Sequence, residues 1–190
     1  MSTVMQEWPR RHRITVEHYY RMAEAGLFEE DERVELINGE IIDMPPMGSR
    51  HAGTVAQLTD VLSHAVGGRA MIRAQLPVRL SDDSEPEPDI AVVKLRSDYY
   101  KSNHPVAADI LLLVEISDTT VRYDRQVKVP LYAQRGIPEV WIVDLQSGEM
   151  HFYRSPVNGK YTVASSTAEP GVVSIASLPS VKVDLSQPRI

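Results

Sequence analysis

The stretch ILLLVEIS (residues 110–117) constrains the fold more than any other, because it is apolar at every position except Glu115 and Ser117. A strand that apolar on both faces belongs in the middle of a sheet covered on both sides. Yet it carries a carboxylate, and burying an unpaired carboxylate costs several kcal/mol or forces it to take up a proton. The segment EPEPDIAVV (residues 85–93) repeats the combination, with Asp89 at the entry to an apolar run. Both acids therefore call for a cation or a hydrogen-bond network.

A chain of 190 residues with 43% hydrophobic content supports one compact domain, expected over residues 14–190 after an N-terminal arm of residues 1–13. The arm combines Trp8 and Pro9 with Arg10, Arg11 and Arg13 and shows no periodicity. There is no cysteine, which excludes a disulfide framework, a thiolate zinc site and a cysteine nucleophile, and fits a reducing cytoplasm. No apolar run approaches the roughly 20 residues that span a bilayer. A formal charge of −6 argues against a general nucleic-acid coating protein, which would advertise a basic surface. It leaves open an enzyme acting on nucleic acid, since acidic metal ligands add to the negative count.

In chain order, Thr15 caps a short helix that Gly26 closes. RVELINGEIIDM (33–44) reads as a β-hairpin turned at Asn38-Gly39, and its alternation directs Glu35 to one face with Ile37. Ser49 caps a helix over residues 49–66, with Val55, Leu58, Leu62 and Val66 at helical spacing. His51 and His64 on it read as satisfied or exposed histidines. Residues 70–80 read as a strand carrying Gln75. Glu85 and Glu87 read as solvated neighbours of Asp89, and residues 96–108 as a polar, mobile connection.

Beyond the apolar strand, residues 119–135 form a helical segment with Asp124, Lys128 and Tyr132 spaced four apart on one stripe. Pro130 should kink it or delay its start, and Gly136 ends it. PEVWIVDL (138–145) is another apolar strand, a second hairpin turns at Asn158-Gly159, and residues 171–185 alternate as a final strand. The pattern predicts an α/β or α+β fold, a mixed sheet with a few helices.

Two strands each delivering a carboxylate, followed by a helix presenting a lysine, can hold a hard divalent cation. Mg²⁺ suits such a site, because it takes oxygen ligands, keeps several waters and needs one or two protein carboxylates. A metal-bound water would be the nucleophile, and the lysine would orient it or stabilise the transition state of a phosphodiester. The bland alternatives are Asp89 capping a turn and Asp124 with Lys128 as an exposed i,i+4 pair.

The order PD, ExS on a very apolar strand, DxxxK on a helix, then GIPEVWIVD, with the hairpin VELINGEI and the strand AQLPVRL, resembles the Uma-type family of putative restriction endonucleases in the PD-(D/E)XK nuclease superfamily. The resemblance covers residues 15–185. It implies a restriction-endonuclease-like mixed sheet flanked by helices, with Asp89 and Glu115 as ligands of Mg²⁺ or Mn²⁺. One departure stands out: where the superfamily pattern has its lysine, two residues after the glutamate, this chain has Ser117. Lys128 on the next helix is the replacement, so the catalytic set becomes Asp89, Glu115 and Lys128, with Glu35, Gln75, Ser117, Asp124 and Tyr132 around it. The expected function is endonucleolytic hydrolysis of DNA in the cytoplasm; the alternative is an inactive nuclease-fold protein that binds or assembles. A homodimer would suit cleavage of both strands of a duplex, and an exposed edge at residues 138–145 would supply its interface.

Overall fold

The computed structural model describes residues 11–29 and 31–186. Most of the expected N-terminal arm, including Trp8, Pro9 and Arg10, lies outside the described residues. Arg11 and Arg13 pair with Glu40 (3.2 Å) and Asp83 (3.7 Å). Next to them, Ile14 N–H donates to the Gly39 carbonyl at 3.0 Å, so the chain runs along the turn of the first hairpin.

Helix α1 (Val16–Glu24) begins where the Thr15 hydroxyl accepts the His18 N–H at 3.2 Å. Strands β1 (Val34–Ile37) and β2 (Glu40–Asp43) form the expected hairpin. Asn38 and Gly39 take φ of +50° and +75°, the left-handed pair that a two-residue turn requires. Helix α2 (Ser49–Val66) is capped at Gly48, not Ser49, and no side chain caps it; this places His51 on its first turn.

The main sheet has the order β3-β4-β5-β6-β7-β8, comprising β3 (Met71–Ala74), β4 (Ile90–Val93), β5 (Ile110–Ser117), β6 (Glu139–Asp144), β7 (Glu149–Val157) and β8 (Lys160–Thr167). Neighbours are antiparallel except β5 and β6. A parallel pair needs a crossover. Helix α3 supplies it over residues 121–134, as Val121–Tyr123, a π-helical turn Asp124–Lys128, and Val129–Gln134. The kink expected at Pro130 is this π turn: proline has no N–H to give and its ring would clash with the carbonyl four residues back, so the turn before it widens.

Alternation along β4 and β5 divides the core. Ile90, Val92, Leu112, Val114 and Ile116 meet α2 and the C-terminal strands, while Ala91, Val93 and Leu113 meet α3 and the first hairpin. Both faces are covered, which is why these strands are uninterrupted apolar runs. Glu115 and Ser117 share the face of Leu113, beneath α3.

Several expectations are corrected. The strand expected over residues 70–80 stops at Ala74, because Gln75 takes φ +52° and leaves the ladder. The apolar run at 138–145 is not an edge: β6 lies between β5 and β7, which removes the surface proposed for a dimer. Residues 171–185 form not one strand but the antiparallel pair β9 (Val172–Ile175) and β10 (Leu178–Asp184). The connection at 96–108 is held by Arg96, which bonds Asp98 (2.6 Å), Ser102 and Asn103. No helix of the described residues is long and apolar enough to cross a membrane.

Candidate functional site

The register of β4 and β5 brings the two carboxylates together. Ile90 partners Val114, so one step beyond the strand Asp89 comes level with Glu115. Asp89 Oδ2 accepts the Ile116 N–H at 2.8 Å, which ties the segment before β4 to the neighbouring strand. Both acids line one pocket of about 380 Å³, walled by Ile42 and Met44 from the first hairpin, His51 from α2, and Tyr123 and Lys128 from α3.

Lys128 is buried in that wall. Its Nζ stands 3.2 Å from Glu35 Oε2 and 3.4 Å from Glu115 Oε2, and Tyr132 Oη donates to Glu115 Oε1. The widened π turn lets Asp124, Lys128 and Tyr132 all face inward; all three are buried, so Asp124 and Lys128 are not an exposed surface pair. Asp124 instead receives hydroxyl bonds from Ser117 (2.7 Å) and Thr120 (2.8 Å), so Ser117 at the end of β5 anchors the helix that carries Lys128. Glu35 also accepts the Glu87 N–H at 3.2 Å.

The pocket is lined by more acidic than basic side chains. Burial pushes Glu115 up to about 8, against the pull of Lys128 and with the charges of Asp124, Asp89 and Glu35 adding to the rise. Burial alone would lower the Lys128 ammonium, but Glu115, Glu35 and Asp124 outweigh it and hold it above its ordinary value. One buried ammonium thus sits among three acidic side chains, Glu35, Glu115 and Asp124, with Asp89 lining the same pocket.

A hard divalent ion fits this donor set, since Asp89 and Glu115 offer oxygen only and water can complete the shell. Among the described residues no three histidine, aspartate or glutamate side chains converge as a metal cage.

Asp89, Glu115, Lys128, Glu35 and Asp124 line the pocket, and Ser117 and Tyr132 stand behind it, bonded to Asp124 and Glu115. Gln75 does not line the pocket, but its backbone N–H donates to the Asp89 carbonyl at 2.9 Å and its amide reaches the lining Met47 Sδ at 3.5 Å. Glu85 is not solvated: it is buried and accepts from Tyr20 Oη at 2.5 Å, while Glu87 is partly exposed and lines the pocket beside Arg33. Two contributors went unread in the sequence. His51 lies 3.2 Å from Asp89, and Tyr123, whose hydroxyl is buried without a partner, lines the pocket. The position of His51 at the start of a helix following a Pro-Pro break was visible, but its partner lies on another strand.

Comparison with known proteins adds three findings. The model of the Uma2 family, described as "Putative restriction endonuclease", matches residues 16–186. No curated protein matches the chain. Among solved structures, a putative nuclease belonging to DUF820 from Anabaena variabilis ATCC 29413 superposes with a TM-score of 0.66 at 19% identity, covering 88% of this chain and 92% of that one.

Proposed function

The chain belongs to the Uma2 family of putative restriction endonucleases, and from that premise we propose that it is a divalent-metal-dependent endonuclease hydrolysing DNA phosphodiesters, with residues 14–190 as its single nuclease domain. The observation that carries the reading is the convergence of Asp89, Glu115 and Lys128 on one pocket with more carboxylates than cations.

In this reading Asp89 and Glu115 hold Mg²⁺ or Mn²⁺. When bound, the ion supplies charge neutralisation at the phosphate and a more acidic water. Lys128 provides a fixed positive charge for the developing charge on the phosphorane, and burial keeps it free of competing solvent. Glu35 holds the Lys128 ammonium in place, while Tyr132 fixes one oxygen of Glu115 and leaves its other toward the lysine. Asp124, bonded by Ser117 and Thr120, secures the first turn of α3 and so the position of Lys128.

The test is cleavage of plasmid DNA by purified protein with and without Mg²⁺ or Mn²⁺. Cation-dependent nicking or cutting that disappears in Asp89→Ala and in Glu115→Ala supports the proposal. Cleavage at the wild-type rate by Glu115→Ala overturns it.

A further inference from the structure

We propose that His51 is the positioning residue for Asp89, its Nε2–H holding that carboxylate in the orientation in which it takes up a divalent cation. The inference rests on the cation-binding reading of the pocket.

Asp89 precedes β4 and lies outside the ladder of that strand, so the sheet alone does not orient its side chain. The Ile116 N–H reaches only Oδ2. A carboxylate held through one oxygen can still rotate about its Cβ–Cγ bond. His51 removes that freedom from a different element: its Nε2 stands 3.2 Å from Oδ1 and 3.2 Å from Oδ2. An ionised carboxylate only accepts, so Nε2 carries the proton.

The other ring nitrogen separates this role from a packing role. Nδ1 of His51 is buried and has no hydrogen-bond partner, whereas buried polar atoms in native proteins nearly always have one. A histidine retained only to dock α2 on the sheet would contribute more as an apolar residue, as Val55, Leu58 and Leu62 do further along that helix. His51 is half-satisfied, and its one bond goes to a carboxylate of the pocket. Groups that hydrogen-bond a metal-ligating side chain orient it, and their loss typically lowers metal affinity or activity by about 10–100-fold.

The test is calorimetric titration of the full chain with Mn²⁺, alongside thermal unfolding, for wild type, His51→Ala and His51→Gln. Glutamine restores an Nε2 donor at similar reach. The expected result is a loss in Mn²⁺ affinity of about 10–100-fold in His51→Ala, with most of it recovered in His51→Gln and the unfolding midpoints of both variants close to wild type. Wild-type affinity in His51→Ala overturns the inference, and so does an equal loss in both variants. A lowered unfolding midpoint with unchanged affinity marks a packing role and also overturns it. Because the readout is binding, a wild-type protein that binds Mn²⁺ without cutting DNA defeats the nuclease reading while leaving this inference standing. Absence of saturable Mn²⁺ binding by wild type defeats both.

Discussion

Lys128 Nζ and Glu35 Oε2 form an ion pair of 3.2 Å, buried at both ends, that closes the first hairpin onto helix α3. Removing one partner of a buried pair strands the other charge, at a cost of up to about 3–5 kcal/mol. Lys128 keeps Glu115 as a second partner, so Glu35→Ala should fall toward the lower part of that range. Urea unfolding of Glu35→Ala and of Glu35→Ala/Lys128→Met checks this. The double variant should regain part of the loss, because no ammonium is left facing a missing partner and Glu115, which burial already raises to about 8, can stay protonated once Lys128 is gone; a double variant less stable than the single one by the full cost of a second buried deletion contradicts it.

For catalysis, Lys128→Ala should reduce the rate of DNA cleavage by about 10²–10³-fold, the scale for losing one preorganised group that stabilises transition-state charge. Calorimetric Mn²⁺ binding should survive, since the carboxylates remain. An unchanged single-turnover rate would assign Lys128 a structural role alone.

The pH dependence of stability should carry the mark of Glu115. Its folded-state value is raised from 4.5 to about 8 by burial, so the folded chain keeps a proton there that the unfolded chain releases. Stability from this group is present in full below about pH 4.5 and declines as pH rises toward about 8, then levels off. Thermal unfolding of wild type and Glu115→Gln across that window measures it. The variant, which has no proton to lose, should show a flatter profile, and parallel profiles would remove Glu115 as the source.

At the other end of the sheet, Glu139 is fully buried and accepts from Trp141 Nε1 (2.7 Å), Arg154 Nε (2.6 Å) and Ala176 N–H (2.6 Å). The last of these joins β9 and β10 to the main sheet. Glu139→Ala leaves those donors without an acceptor, at roughly 1–3 kcal/mol for each that water cannot reach. Hydrogen exchange should show residues 172–184 losing protection before β5 and β6 do; uniform loss across the sheet would mean the bonds are not a local clamp.

Legibility in the sequence followed the range of the interaction. Asn38-Gly39 and Asn158-Gly159 announced both hairpins, since a two-residue turn is decided by the φ its own residues can adopt. Thr15 announced α1 through a bond to a residue three positions on. The apolar run of β5 announced a strand covered on both faces, and Glu115 within it announced an unusual environment. The edge assigned to residues 138–145 failed because apolarity reports burial and not strand order. The single strand expected over residues 171–185 failed because no Asn-Gly or other turn-forming pair marks its bend. Ala176 and Ser177 stand there instead, and Glu139 from another strand accepts the Ala176 N–H and so holds the turn.

The sequence by itself determined the elements whose causes are local: helix caps, Asn-Gly turns, the alternation or continuity of apolar residues, and the presence of carboxylates where carboxylates are costly. Tertiary structure alone decided which of those carboxylates meet. Asp89 comes beside Glu115 through a cross-strand register, Lys128 reaches them through a π turn before Pro130, and His51 meets Asp89 from a helix that precedes both strands. Those contacts depend on how strands pair and how helices lie over them. That arrangement is set by the burial of whole faces at once, which no short stretch of the chain encodes.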